Sequence, residues 1–314
     1  MYRLLADILN DFAFVLDCLS PAFPKNVRVL VLSFSSVLRA LCGVAAGSAK
    51  ASLSAHFARW GNLGELNAKD SSQETVISLM GMLAGSLVVQ WITSPMATWT
   101  MLILLLSVHL EMNRRAVRAV SMRSLNRQRA NLVYHALQRG HVPSPEEVSS
   151  QERIFERPGV LRAAEDRVLG YCTFGASLSS YFKTISTPHG GTSSTKLPSS
   201  ALQKLLQPFS DKNYIMWYDP VSLSKQIHVH VALKQHASQT DQLAAWWHAL
   251  ALAEASVRGH AIDDDKSLLK RTLDDVSVLM AKNAKGLEDA GWDLSTAALE
   301  TGSNTRLAVR SADT

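Results

Sequence analysis

The sequence lacks charge over a long stretch of its first half. Thr75 to Leu110 contains no Asp, Glu, Lys or Arg in 36 residues, whereas the second half of the 314-residue chain is charged throughout. Cysteine is scarce as well. Cys18, Cys42 and Cys172 lie far apart without a C-x-x-C pair, which predicts buried thiols in a reducing compartment. The start, MYRLLADILND, carries acids where a secretory signal needs a basic head, so we expect no such signal.

Common catalytic signatures are also missing. The chain has no G-x-S-x-G, H-E-x-x-H or Rossmann G-x-G-x-x-G motif, so no catalytic residue and no cofactor is predicted. His228 and His230 alternate on a predicted strand, and their rings therefore point to one face. Two imidazoles can supply part of a zinc site, but no third candidate ligand lies at a sequence spacing typical of such sites. We interpret them as surface histidines and predict no metal.

The uncharged stretch predicts a helical hairpin. Thr75 to Ile92 would rise about 27 Å as a helix, almost the thickness of the hydrocarbon core of a membrane. Ser94 and Pro95 supply an N-cap and a first-turn proline for a return helix over Met96–Met122. We therefore expect this hairpin to contact a lipid bilayer.

Two more helices are predicted before the hairpin. Tyr2–Leu19 has apolar residues at the spacing of one helical face, and its acids favour an interfacial or bundle helix over a lipid-bathed one. Val27–Ala49 is long enough to span a membrane and places Arg39 near its middle. An arginine there costs about 3 kcal/mol, so it would face the bundle or a watery cavity and pair with an acid. The alternative is a helix in a soluble core with Arg39 at its edge.

A polar run precedes the hairpin. Ser71 followed by Glu74 fits a capping box, which predicts that the next helix begins near Ser72. Capping leaves part of the run unexplained, and a solvated loop with a local Lys–Asp pair is one interpretation. The other is a functional polar patch facing the arginines. Its candidate residues are Arg39, Lys69, Asp70, Gln73 and Glu74.

Small residues recur in both apolar segments. Gly43 and Gly47 form one small-xxx-small motif, and Gly81 and Gly85 form another. Glycines on one face let two helix backbones approach closely in a membrane. The four glycines are therefore predicted to pack helices.

The positive charge is local. Asn113 to Arg129 holds six arginines and no acid, directly after the apolar segment. Nucleic acid could bind such a patch. A basic flank beside a membrane helix fits its position better, so we predict no nucleic-acid partner. The juxtamembrane residues of this flank are Arg114, Arg115, Arg118 and Arg123.

The second half reads as a small α+β domain. Strands are predicted over Arg167–Ser177, Tyr214–Tyr218 and Gln226–Leu233, and helices over Thr240–Arg258 and Asp263–Lys285. The predicted fold class is mainly α: a helical, membrane-associated bundle followed by this C-terminal domain. The predicted divisions are a helical membrane domain at 1–125, a basic helical connector at 126–165 and a soluble α+β domain at 166–314.

Several unusual strings occur together in the first half. YRLLADILNDFAF, SVLRALCGVAAGSAKASLSAHFA, NAKDSSQET and LNRQRA follow one another between residues 2 and 130. In this the chain resembles the ROOT UV-B SENSITIVE (RUS) family. The resemblance implies an integral membrane protein with a helical core and a C-terminal soluble domain. It also implies links to UV-B sensitivity, auxin distribution and vitamin B6 homeostasis, with members acting together in plastids.

The resemblance carries over no catalytic residue. Family members have a Gly- and Trp-rich region before YRLLADILND, and this chain begins at that motif, so we expect it to lack the region. The leading hypothesis is a non-enzymatic membrane protein, in a plastid or other endomembrane, that works through helix packing and a protein partner such as another RUS member. The alternative is a soluble enzyme or carrier of a B6 vitamer, with Arg39 and Lys69 binding its phosphate.

Overall fold

The computed structural model describes residues 2–58, 61–186, 199–219, 226–257, 265–296, 298–299 and 306–308. The chain divides into two compact units, Met1–Val120 (unit 1) and Ser121–Thr314 (unit 2), which are treated separately below. Described residues of unit 1 form long helices, and those of unit 2 form helices around a four-stranded sheet. The predicted fold class, mainly α with apolar helices before a small α+β part, is confirmed.

Unit 1 consists of four long helices in its described residues. They are α1 (Tyr2–Leu19), α2 (Lys25–Phe57), α3 (Leu63–Trp91) and α4 (Pro95–Arg118). Helix α1 has the predicted bounds. Pro21 and Pro24 lie between α1 and α2, where a ring without an N–H interrupts the helical hydrogen bonds. Helices α2, α3 and α4 are each long and apolar enough to cross a membrane.

The connection between α3 and α4 follows the predicted chemistry. The Ser94 side chain accepts a hydrogen bond from the backbone N–H of Ala97 at 3.2 Å, and Pro95 occupies the first helical position. Serine and proline thus satisfy or remove donors that a helix start leaves unpaired. The return helix ends at Arg118, four residues before the predicted Met122.

The predicted start of α3 is wrong. The helix begins at Leu63, so Ser71, Ser72 and Glu74 lie inside it. The Ser72 hydroxyl donates to the carbonyl of Ala68 at 2.7 Å instead of capping a helix end. The preceding residues include good helix formers and can continue the helix through the polar run, so a capping motif there is not needed. Helix α2 likewise continues past Ala49, its predicted end.

Unit 2 combines short strands with helices. Its described elements are α5 (Arg127–Gln138), α6 (Pro145–Gln151), β1 (Val160–Arg162), β2 (Val168–Phe174), α7 (Leu178–Ser186), α8 (Ser199–Leu206), β3 (Tyr214–Tyr218), β4 (Ile227–Leu233), α9 (Gln239–Val257) and α10 (Asp265–Asp289). The sheet order is β1-β2-β4-β3, with β2 and β4 parallel and the other pairs antiparallel. The three predicted strands correspond to β2, β3 and β4.

The core of unit 2 forms around two tryptophans on α9. Trp246 and Trp247 are fully buried, and each indole N–H has a partner on α5. Trp246 donates to the Asn131 side chain and Trp247 to the Ala130 carbonyl, both at 2.8 Å. Residues 126–165, predicted as a connector, supply α5, α6 and β1, and α5 packs on α9 in this core.

The cysteines occupy three environments. Cys172 is buried in β2, and burial raises the pKa of its thiol to about 12. It therefore stays protonated and behaves as a small hydrophobic residue. Cys42 is half-buried. Cys18 is exposed on α1, so the expectation that it is buried is wrong.

Candidate functional site

Helix α1 buries two acids together with Leu4, Ala6 and Ala13, and exposes several of its large apolar side chains. Asp7 and Asp11 are 9% and 6% exposed, whereas Ile8, Phe12 and Phe14 lie on the exposed side. The buried side packs on α2 and α4. A helix in water normally buries its apolar side and exposes its acids. The sequence predicted a single apolar face but not this orientation. Apolar spacing alone does not determine whether that face packs on the neighbouring helices or is exposed.

The buried acids of α1 contact polar groups of the neighbouring helices. The Asp11 carboxylate lies 3.0 Å from Nδ1 of His109 on α4. Ser35 of α2, fully buried, donates its hydroxyl to the Ala13 carbonyl at 3.1 Å. A buried polar group is tolerated when it has such a partner. These contacts tie α1 to α2 and α4, and sequence reasoning missed them because the partners are far apart along the chain.

Arg39 pairs with an acid, as predicted for an arginine near the middle of a membrane-length helix. Its guanidinium forms an ion pair with Asp17 of α1 and lies over the Phe14 ring, 5.4 Å from the ring centroid. The aromatic face adds a favourable cation–π contact. The acid belongs to α1, and no ion pair of the described residues joins Arg39 to the polar run of α3.

The polar run of α3 is a separate, exposed cluster. Lys50 of α2 reaches Asp70 and Glu74 at 2.8 Å each. Lys69 pairs with Glu65 one turn earlier, also at 2.8 Å. Exposed pairs of this kind contribute little stability, typically about 0–1 kcal/mol. Of the five candidate residues, the structure brings Asp70 and Glu74 together through Lys50, while Gln73 is exposed on the same helix.

The four helix-packing glycines face open space. A Cβ atom built on Gly43, Gly47, Gly81 or Gly85 would meet no described atom within 4 Å apart from its chain neighbours and the nearby backbone of its own helix. These glycines therefore do not mediate close packing inside unit 1. Their faces are free of described neighbours, so packing by them would require another molecule.

The basic run divides at the end of α4. Arg114 and Arg115 both hydrogen-bond to Glu111, with shortest distances of 2.7 Å. Arg118 and Arg123 are exposed. Beyond them, Arg129 is buried in unit 2 and pairs with Glu152, and the Arg127 guanidinium lies over the Trp246 ring. Two of the six arginines thus stabilise the fold of unit 2 and are not part of an open basic surface.

Three of the described histidines of unit 2, His248, His228 and His230, occupy two settings. His248 is fully buried between Tyr214 and Thr272, its ring nitrogens 3.2 Å and 3.0 Å from their hydroxyls. Burial lowers its pKa to about 4, so it is a neutral part of the core at physiological pH. His228 and His230 lie on β4 near Asp219, a residue that sequence reasoning missed.

Fold and site together define a class. In its described residues, the chain is a mainly helical protein in which three membrane-length apolar helices precede a small α+β unit. Residues 1–140 match the family model described as the vitamin B6 photo-protection and homoeostasis domain, a match that extends through α5. Over these residues the chain is similar to the root UV-B sensitive (RUS) family, as its sequence motifs predicted.

Curated relatives carry the same family name. RUS family member 1 of Dictyostelium discoideum is 40% identical over 159 residues, covering 49% of this chain and 30% of the relative. Protein root UVB sensitive 3 of Arabidopsis thaliana is 41% identical over 157 residues, covering 49% and 36%. Protein root UVB sensitive 2, chloroplastic, of the same plant is 31% identical over 161 residues, covering 50% and 37%. The matches span about a third of these relatives' length. No solved structure matches the chain.

Proposed function

We propose that the chain is an integral membrane protein of the RUS family that acts through helix packing and protein contacts and not through catalysis. The observation that carries the proposal is the apolar surface of α2, α3 and α4. Helix α3 buries no residue, and Ile77 on it is 67% exposed. A soluble monomer rarely exposes apolar surface on this scale, whereas lipid tails would cover it.

The exposed aromatic residues and buried acids of α1 support the same conclusion. In water, exposed Phe12 and Phe14 beside buried Asp7 and Asp11 would be unfavourable on both counts. In a bilayer the preferences reverse, because polar side chains seek the interior of the helix bundle and apolar ones face lipid. The fold of α1 is thus the arrangement expected next to lipid.

Helix length and charge suggest a topology. At 1.5 Å per residue, the 33 residues of α2 extend about 50 Å and the 24 residues of α4 about 36 Å, enough for a core of about 30 Å. Three successive crossings would place the C-terminal end of α2, the start of α3 and the end of α4 on one side. That side carries Lys50, Lys69 and the α4 arginines, so we assign it to the cytoplasmic-type face.

The family and its relatives suggest the physiological setting. The family model names vitamin B6 photo-protection and homoeostasis, and one relative is named chloroplastic. We extend the proposal to a role in that process at a plastid or other endomembrane. A protein partner, such as a second RUS protein, would pack against the open glycine faces of α2 and α3.

The alternative function, binding the phosphate of a B6 vitamer, gains no support from its two candidate residues. Arg39 and Lys69 each pair with a different carboxylate, Asp17 and Glu65. A phosphate site gathers several donors around one anion. These two side chains do not converge on a common point in that way.

Alkaline carbonate extraction tests the membrane assignment. Membranes from cells expressing the tagged chain should retain it in the pellet, because spanning helices resist extraction while peripheral proteins dissolve. Recovery of the chain in the supernatant would contradict the proposal and restore the soluble alternative.

A pair of matched variants makes this test specific. Leu83→Arg adds a charge in the middle of α3, where leucine is 65% exposed, and insertion should fall because a central arginine costs about 3 kcal/mol. Val278→Arg makes the same change on α10 of unit 2, where valine is 67% exposed. We expect Leu83→Arg to lower the fraction of the chain in the pellet, with α2 and α4 retaining the rest, and Val278→Arg to leave that fraction unchanged. Equal behaviour of the two would argue against lipid around α3.

A further inference from the structure

Strand pairing brings three metal-binding side chains together at one end of β3. The antiparallel register of β3 and β4 sets Tyr218 opposite Val229, and the next backbone bond runs from the Asp219 N–H to the His228 carbonyl at 2.9 Å. Asp219 is thus opposite His228, and His230 lies two residues further on the same face of β4. One ligand atom from each of the three lies within 4.8 Å of the others.

The spacing of the ligand atoms suits a small cation. Asp219 Oδ2 lies 3.1 Å from Nε2 of His230 and 3.8 Å from Nδ1 of His228. Ligands about 2.0 Å from a tetrahedral ion are about 3.3 Å apart, so only small movements would complete the site. The two imidazoles are stacked, with centroids 4.5 Å apart.

Neighbouring residues orient the two rings. Nε2 of His228 lies 2.9 Å from the Thr173 hydroxyl on β2. When Nε2 donates to that oxygen, Nδ1 carries the lone pair that faces Asp219, as in metal sites where a second partner fixes the tautomer. Trp217 stacks on His230 with centroids 5.4 Å apart and the planes 10° from parallel. The rings are therefore fixed in place by the sheet.

We propose that Asp219, His228 and His230 form a binding site for a divalent transition-metal ion, with Zn²⁺ as the best fit. Two nitrogens and one carboxylate suit Zn²⁺ and its neighbours better than Ca²⁺ or Mg²⁺, which prefer oxygen ligands. Three protein ligands leave a fourth position for water or an external group. The His228 and Asp219 side chains are 46% and 35% exposed, so that position is open to solvent. The site is independent of the membrane role proposed above.

Zinc binding to the full chain in detergent tests the site. After treatment with a chelator and its removal, competition against a chromophoric zinc indicator should show one specific Zn²⁺ per chain. His228→Ala and His230→Ala should each weaken binding at least 100-fold. Thr173→Val should weaken it about 10-fold, since it removes only the partner that orients His228.

His141→Ala is the matched control. His141 lies 3.1 Å from Glu147 in an exposed histidine–carboxylate pair, which offers two donors instead of three. This variant should bind Zn²⁺ as the parent does. The proposal is overturned if the parent binds no Zn²⁺ above what His228→Ala and His230→Ala retain. If these variants fail to fold by circular dichroism, the Co²⁺ spectrum of the parent decides, because a spectrum of hydrated Co²⁺ alone would also overturn it.

Discussion

At the scale of single residues, the Asp17–Arg39 pair has the clearest physical consequence. Each charge lies beside apolar helix surface, and each is tolerable there because the other neutralises it. Removing one partner of such a pair leaves the other uncompensated, which is far more harmful than removing both. The pair therefore adds an electrostatic contact to the packing of α1 on α2.

Substitution of Arg39 should expose this role. We expect Arg39→Leu to impair complementation of a null background, since Asp17 is left without its cation, while the protein remains in the membrane fraction. Exchanging the charges with Asp17→Arg and Arg39→Asp together should recover part of the activity. Full complementation by Arg39→Leu alone would refute the role of the pair.

Lys69 provides the control for this experiment. It also pairs with a carboxylate, but both Lys69 and Glu65 are well exposed on α3. Lys69→Leu should therefore have a small effect, within the range of about 0–1 kcal/mol for a surface pair.

At the scale of elements, the open glycine faces of α2 and α3 predict an interface. Because a side chain at Gly81 or Gly85 meets no described neighbour, larger apolar residues should fit within this chain. Gly81→Ile with Gly85→Ile should leave membrane insertion intact and reduce association with a partner helix.

Chemical cross-linking and native electrophoresis of detergent extracts would measure this association. Thr75→Ile with Ser86→Ile, changed on another face of the same helix, serves as a control for added bulk. Unchanged association in the glycine variant would show that these faces do not form the interface.

The elements also show what the sequence could predict. Tyr2–Leu19 and the Ser94–Pro95 start were predicted correctly, because apolar spacing and helix capping are local properties. The start of α3 was not, because a capping motif at Ser71 has no effect inside a longer helix. The orientation of α1 also escaped prediction, since the same periodicity serves a helix in water and one in lipid.

For the candidate sites as well, the sequence predicted properties of single residues but not the partners that come from distant parts of the chain. Arg39 was expected to pair with an acid, but its partner on α1 follows from helix packing and not from spacing. Asp219 was missed, although it directly follows the predicted strand Tyr214–Tyr218, and the observed pairing of β3 with β4, continued by one residue, sets it opposite His228. Antiparallel pairing of these two predicted strands would have indicated the third ligand.

At the scale of the whole molecule, the two units follow opposite rules. Unit 2 buries Trp246, Trp247 and a continuous apolar core, as a protein in water does. Unit 1 exposes most of its large apolar side chains and buries two acids of α1. Unit 2 thus buries its apolar side chains, whereas unit 1 exposes them. This difference is the physical basis for the proposal that unit 1 lies in a membrane.

Protease protection tests this assignment most directly. In sealed microsomes with the cytoplasmic face outward, protease should remove a C-terminal tag and unit 2, and leave a fragment containing α3 and α4 intact until detergent is added. That result would establish that unit 1 spans the bilayer with its arginine-rich side outward. Complete digestion of α3 and α4 without detergent would contradict the account and show that these helices are accessible from water and not enclosed by lipid.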